Sequence, residues 1–347
     1  ASETRVCAVF IDIVNIYKVM QTNILKKIFV KIIKMFGFEI IDQNQFKSPT
    51  LNKELNEQLS NVNKSIILPL GEVNLTRKIS DLLIIFRTNS TVEIWDQNKK
   101  RIFEKEKIEY VIRSLNSLIK SIKIVEENYP SLNVNLIILD DRSNDQNLAK
   151  IKNILDKSNH KYEIINHKYS DHKNIIKEQK TVDTFSNLSS LLKCFEIGKR
   201  EGKDLIYFVE DDYLHFANSL EEMIGTYERI SSQLKRDLFV CPADYPFLYM
   251  NNEKTNILIG NKRHWRTTNK TLCTFITSKE ILDKYWENFH QNCLDRHEPF
   301  EKYLNMIYEK EICLSPIKSL SIHMTNVNSS YGLSPFIDYK SLWDENE

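Results

Sequence analysis

Two apolar runs in this chain stop abruptly at acids. LIIL at 136–139 is followed by Asp140 and Asp141, and LIYFV at 205–209 by Glu210, Asp211 and Asp212. A third run, LLIIF at 82–86, stops at Arg87, Thr88 and Asn89. Short runs without a polar residue predict strands buried on both faces, as in a parallel sheet. In open sheets of that kind ligands sit beyond the carboxyl ends of the strands. If the three strands are neighbours, their polar ends meet in one crevice. Carboxylates crowded there repel one another. A hard divalent cation, Mn²⁺ or Mg²⁺, relieves the repulsion through oxygen ligands and keeps positions open for phosphate oxygens. The residues therefore predict a metal–nucleotide site, with Glu210, Asp211 and Asp212 at the metal and Asp140 and Asp141 near a base or ribose. Acids that merely cap the following helices would explain one such cluster more readily than two.

The intervening segments supply the elements that must hold these ends. Ile108, Ile112, Leu115, Ile119 and Ile122 recur at helical spacing, which predicts a helix over 105–128 that stops before Pro130. Asn144 or Asp145 can cap a helix at 146–157, and 162–165 reads as a third strand. Leu188, Leu191, Leu192 and Phe195 mark another helix, closed near Gly202. Strands alternating with helices predict an α/β fold with a mostly parallel sheet flanked by helices. The later half alternates less regularly, with strands expected near 238–241 and 271–277. Helices are expected at 279–288 and 298–308, followed by an extended tail from residue 315.

Composition excludes several classes. The 347 residues are 41% hydrophobic and 27% charged, which suits a globular chain of about two domains, or of one large α/β domain with appendages. A net charge of +1 argues against nucleic acid as a partner, because that needs a surplus of cations. Gly occurs only seven times, with no glycine-rich phosphate loop of the Rossmann or P-loop pattern. Six Cys at 7, 194, 241, 273, 293 and 313 form no close pair, which speaks for buried thiols in a reducing compartment rather than zinc. No run of 18 uncharged apolar residues is present and no secretory signal is evident, so no membrane span is expected and the location expected is cytoplasmic.

The stretch LIILDDRSND, followed about 60 residues later by LIYFVEDD, resembles the family 2 glycosyltransferases and their GT-A fold. The first motif is similar to that family's D-D-x-S-x-D nucleotide motif. The second is similar to its D-x-D metal motif, in an E-D-D form that leaves open which acids reach the ion. The resemblance spans about residues 80–325 and implies a GT-A-like enzyme. Its implied cofactor is Mn²⁺ or Mg²⁺, and it would move a sugar from a nucleotide-sugar donor to an acceptor hydroxyl, with inversion. It further implies that Arg87, Asp140, Asp141 and Asp211 contact the nucleotide sugar, and that Asp212, supported by Glu210, holds the metal. A late histidine often completes such sites, which points to His323. An acceptor-side carboxylate base is expected near the start of a helix in the second half. Either Asp295 or Glu298, in Asp295-Arg296-His297-Glu298-Pro299, fits that place. Residues 261–270 are expected to form a mobile loop over the donor, where Arg263 and Arg266 hold phosphate or acceptor charge and Trp265 stacks on a sugar.

Three regions follow: an appendage at 1–78, a nucleotide-sugar half at 79–240 and an acceptor half at 241–347. In the appendage, 23–36 (NILKKIFVKIIKMF) is helix-periodic, with Lys27, Lys31 and Lys34 opposite an apolar face, while 42–65 reads as a linker. Such a helix can contact an anionic membrane through 24–36, on the inner face of the cell membrane. A growing bacterial surface glycan is then the expected acceptor, and a lipid-linked form of it would explain the helix. Two rivals are a sugar-nucleotide nucleotidyltransferase and a non-catalytic nucleotide- or sugar-binding module. The former lacks its glycine-rich loop after the first strand.

Overall fold

Every residue of LLIIF is buried, and the alternation of side chains along a strand sends them to two different cores. Leu82, Ile84 and Phe86 join one apolar cluster, and Leu83 and Ile85 join another. Each such side chain contributes roughly 1.5–3 kcal/mol on burial. The sheet can therefore form only with helices on both faces.

The computed structural model describes residues 27–38, 60–61, 64–67, 71–92, 101–250, 254–324 and 328–347. Two compact units are distinguished, 1–59 with 66–72 and 60–65 with 73–347. In the first, residues 27–35 are helical. Short strands at Ser60–Asn61 and Lys64–Ile67 begin within the expected linker of 42–65, and a third at Gly71–Asn74 lies beyond it; they span the division between the units. The rest of the expected linker lies outside the described residues.

The second unit is built on one nine-stranded sheet. Counting from that sheet, the first half runs β1 (Asp81–Thr88), α1 (Lys107–Asn128), β2 (Asn133–Asp140), α2 (Asp145–Ser158), β3 (Tyr162–Asn166), α3 (Val182–Glu201) and β4 (Leu205–Glu210). Next come β5 (Tyr213–His215), α4 (Ser219–Leu234), β6 (Phe239–Val240), β7 (Ile257–Ile259), β8 (His264–Thr267) and β9 (Phe275–Ser278). The chain closes with α5 (Lys279–Lys284), α6 (Trp286–Cys293), α7 (Lys302–Tyr308), β10 (Cys313–Ile317), β11 (Ser321–His323) and α8 (Tyr339–Asp344). The strand order is β7-β8-β10-β6-β9-β4-β1-β2-β3. Pairing from β4 through β3 is parallel, as is β10 with β6. β9 runs antiparallel to both its neighbours, and so does β8. The α/β class expected from the sequence, a sheet flanked by helices, is the fold observed, with four of the eight strand pairings in the sheet parallel. Strands from both sides of residue 240 share the one sheet.

α1 and α4 cover the face of Leu82, Ile84 and Phe86, while α3, α6 and α7 cover the other. α1 also places β5. Ser114 Oγ donates to the Tyr213 carbonyl, and Ser117 and Ser121 Oγ accept from the backbone of His215 and Leu220. Asn144 caps α2, its side chain accepting from the Asn147 N–H. Elsewhere the chain departs from expectation. The helix expected at 279–288 is split, because Tyr285 leaves helical geometry while its hydroxyl donates to Glu311. The helix expected from 298 begins at Lys302. The loop expected at 261–270 contains β8 paired on both edges. Among the described residues no helix is long and apolar enough to cross a membrane. Cys194, Cys241, Cys273, Cys293 and Cys313 are buried free thiols.

α3 approaches β4 closely at Gly198, where an added Cβ would lie 2.8 Å from the Phe208 ring. Gly198→Ala should therefore lower stability by about 1–3 kcal/mol, read as a reduced urea midpoint at unchanged m-value.

Candidate active site

β1 lies between β2 and β4 and runs parallel to both, so all three end at one edge of the sheet. The register sets Thr88 beside Asp140 and Arg87 beside Glu210. Asn89, the first residue past β1, ties the two acidic clusters together. Its backbone N–H donates to Asp211 Oδ2 at 3.0 Å and its side-chain amide to Asp141 Oδ2 at 3.3 Å. Asp141 and the EDD acids thus share a rim.

On the β2 side, Ser186 Oγ donates to the Asp141 carboxylate at 2.6 Å, and Arg142 Nε approaches it at 3.3 Å. Arg142 has a φ of +67°, and the turn it makes brings the Ser143 N–H to Asp140 Oδ2 at 3.1 Å. Asp140 Oδ1 is buried and has no hydrogen-bond partner among the described residues. Burial raises the Asp140 pKa; Ser143 opposes the shift, and Asp141 and Asp211 add to it. Asp140 is thus the acid of this pair with acceptor capacity left over.

On the β4 side, the three acids have three different surroundings. Glu210 pairs with Arg87 at 2.6 Å, and Arg87 also reaches Asn187 Oδ1 at 2.5 Å and Ser190 Oγ at 3.2 Å on α3. Burial by itself would lower the Arg87 pKa, but Glu210, with neighbouring thiols and Asp211, raises it overall. Burial raises Glu210 in turn, against the pull of Arg87 and with the push of Asp212. Asp211 accepts from Thr88 Oγ1, the Asn89 N–H and Lys107 Nζ, the last at 2.5 Å from the first turn of α1. These bonds make Asp211 a strut between β1, β4 and α1. Asp212 Oδ2 lies 3.3 Å from His323 Nε2.

His323 reaches Asp212 through the pairing of β5 with β11, which sets it opposite Tyr213. The Tyr213 ring stacks on the imidazole at 5.0 Å between centroids. His323 Nδ1 is 3.1 Å from the Tyr331 carbonyl, so Nδ1 carries a proton there. Burial would lower the His323 pKa, but Asp212 and Glu210 outweigh it and raise it.

The other expected residues lie elsewhere. Asp295 is bound by Lys177 Nζ at 2.8 Å and Gln179 Nε2 at 3.2 Å. Those bonds hold its pKa down to about 2. The Glu298 side chain is 87% exposed, beside Arg296. Arg266 is buried against Asp244 at 3.1 Å and over the Tyr249 ring at 4.3 Å, and lines a cavity of about 180 Å³ with Phe247 and Tyr308. Trp265, expected to stack on a sugar, is wholly buried, and its indole N–H donates to Glu222 at 3.1 Å. A lone aromatic in a polar stretch gave no hint of that burial. Arg263 donates to the Lys318 carbonyl at 2.7 Å.

Glu301 escaped the sequence reading. It immediately precedes α7 and is 9% exposed. Burial pushes its pKa up to about 8, with a further contribution from Glu210. His323 pulls the other way, so the carboxyl is electrostatically coupled to both residues. Lys107, Ser186 and Asn187 were missed too. Their only signal was position, one at a helix start and two at the first turns of another.

Among the described residues no three His, Cys, Asp or Glu side chains converge as a metal cage. Asp212 and His323 offer an oxygen and a nitrogen donor on one point. Two protein donors fit a cation that takes its remaining ligands from phosphate and water, as Mg²⁺ commonly does.

No protein-family model and no curated protein matches this sequence. Solved structures do. S. aureus TarS is similar over 65% of this chain and 34% of its own, at 14% identity and a TM-score of 0.34. The chain thus spans about a third of the TarS chain. An active-site mutant of LgtC is similar over 67% and 71%, at 12% identity and a TM-score of 0.37. M. tuberculosis glucosyl-3-phosphoglycerate synthase is similar over 60% of both chains, at 10% identity and a TM-score of 0.30. The last is also solved with Mn²⁺, uridine diphosphate and glucosyl-3-phosphoglycerate.

Two outcomes follow from these charges. Arg87→Met leaves Glu210 without its cation beside Asp211 and Asp212. A stability loss of about 2 kcal/mol is expected, below the range for fully buried pairs because the Glu210 side chain keeps 24% of its exposure. Arg87→Met/Glu210→Gln should recover much of it in urea melts. Glu301 binds its proton more tightly folded than unfolded, so its contribution is present in full at acid pH. That contribution is lost as pH climbs from about 4.5 through about 8. Glu301→Gln should remove this dependence, and its Tm relative to wild type should rise between pH 5 and pH 9.

Proposed function

We propose that this protein is a glycosyltransferase that binds a nucleotide-sugar donor with a divalent cation and delivers the sugar to an acceptor hydroxyl. One observation carries the reading: Asp140–Asp141 and Glu210–Asp212 end adjacent parallel strands on one rim, joined by Asn89, with His323 brought to Asp212. In this reading the rim at Asp140 and Asp141 meets the base and ribose, with Asp140 Oδ1 taking a donated hydrogen bond. Asp212 and His323 would hold Mn²⁺ or Mg²⁺, with Glu210 behind them. The cation, when bound, would neutralise charge on the departing nucleoside diphosphate. Arg87 keeps Glu210 in place, and Asp211 fixes the spacing of the rim.

The acceptor-side base was expected at Asp295 or Glu298. Glu301 suits the role better on physical grounds. A carboxylate held near a pKa of 2 is a weak base, and one in open solvent is not fixed toward a reacting atom. Glu301 is buried, is electrostatically coupled to Glu210 and His323, and its pKa near 8 would make it a competent proton acceptor close to neutral pH. Direct attack by an acceptor deprotonated at Glu301 would invert the anomeric centre. The basic helix at 27–35 would suit an acceptor held at a membrane, such as a lipid-linked surface glycan. A nucleotidyltransferase is disfavoured by Arg87, Thr88 and Asn89, which are engaged in the rim and provide no glycine loop to wrap a triphosphate.

A thermal-shift panel of nucleotide sugars, with and without Mn²⁺, tests the proposal. A true donor at 100 times its Kd should stabilise the wild type by about 2.7 kcal/mol. Asp212→Asn should abolish the Mn²⁺-dependent part of the shift and lower sugar transfer or donor hydrolysis by about 100-fold or more. Glu301→Gln should lower kcat by about 100-fold or more while leaving the shift intact. No stabilisation by any nucleotide sugar would refute the reading. Stabilisation without turnover would make the protein a binding module.

A further inference from the structure

The helix at 27–35 carries its charge and its exposed apolar surface on different arcs. At about 100° per residue, Lys27, Lys31 and Lys34 fall within an arc of roughly 60°. Beside it lie Ile28, Phe29, Ile32, Met35 and Phe36, whose exposures run from 47% to 81%. Val30 and Ile33, on the remaining side, are partly covered. No acid occurs between residues 27 and 38. The helix ends in a tight C-terminal cap. Gly37, at a φ of +81°, donates to the Lys34 carbonyl at 3.1 Å, and the Phe38 N–H donates to the Ile33 carbonyl at 3.3 Å. A φ in that region favours glycine, so the stop is set by sequence. It leaves Phe38, also exposed at 68%, just past the last turn.

Large apolar side chains exposed side by side mark a surface that another phase or partner covers. We propose that this helix lies in the headgroup layer of an anionic lipid membrane. Phe29, Ile32 and Phe36 would enter the acyl boundary, and the three lysines would meet lipid phosphates. The length of about 13 Å is too short to span a bilayer but suits an in-plane helix. A second copy of the chain fits poorly. Two such helices would align like charges along the seam, since residues 27–38 carry lysines and no acid. Three lysines beside an exposed apolar stripe match a surface that is itself both anionic and apolar.

The full chain should co-float with phosphatidylcholine vesicles containing about a third phosphatidylglycerol, and not with pure phosphatidylcholine vesicles. High salt should weaken the binding. Lys27→Ser/Lys31→Ser/Lys34→Ser should weaken it roughly 100-fold, at about a factor of five per lysine. Phe29→Ser/Phe36→Ser should abolish it. Unchanged circular dichroism would show that both variants fold, since the altered side chains face solvent. Binding equal on neutral and anionic vesicles, or absent from both, overturns the proposal. So does a dimer in sedimentation that Phe29→Ser/Phe36→Ser dissolves. Flotation needs no nucleotide sugar and the donor shift needs no vesicle, so the two proposals fail separately.

Discussion

Five carboxyl groups on one rim of one sheet are the constraint around which the structure is arranged. Asp140, Asp141, Glu210, Asp211 and Asp212 end or directly follow the apolar runs 136–139 and 205–209, so the backbone has little freedom to spread them. Their repulsion is met locally and unequally. Arg87 answers Glu210, Lys107 answers Asp211, and Arg142 with Ser186 answers Asp141. Asp140 keeps one oxygen without a partner among the described residues, and Asp212 meets the His323 imidazole. The division separates acids that hold the rim together from acids able to meet a ligand.

The helices around the rim serve that division. α1 sends Lys107 to Asp211 from its first turn and docks β5 through Ser114, Ser117 and Ser121 farther along. It thereby fixes the height of Asp212 against the sheet. α3 supplies Ser186 to Asp141 and Asn187 with Ser190 to Arg87, all within its first three turns. Gly198, two turns later, lets the same helix seat closely on β4. A shift of α3 would disturb both acidic clusters and a shift of α1 the second, so packing and site geometry are one problem here.

The electrostatics across the crevice are graded. Burial raises Asp140, Glu210 and Glu301, whereas neighbouring carboxylates raise His323 against its own burial. Protons are therefore held on this surface at pH values where exposed carboxylates would have lost them. A bound cation and diphosphate would change that balance, which makes occupancy and protonation of the crevice interdependent.

Much of this was legible in one sequence, and the limits have physical causes. Unbroken apolar runs identified β1, β2 and β4, since a strand buried on both faces admits no polar residue. The acids that end them followed from the rule that ligand crevices lie at strand ends. Neither β8 nor the burial of Glu301 ahead of α7 could be read the same way. β8 is four residues long and begins with His264, and Glu301 sits in a polar stretch like any helix start. What buries Trp265 is the pairing of β8 on two edges, and what separates Glu301 from Asp295 and Glu298 is its distance from solvent. Both are properties of packing between segments far apart in the chain. Residue type and spacing determined which side chains could do chemistry; only the tertiary structure decided which of them share a low-dielectric crevice, because desolvation and charge coupling depend on through-space neighbours.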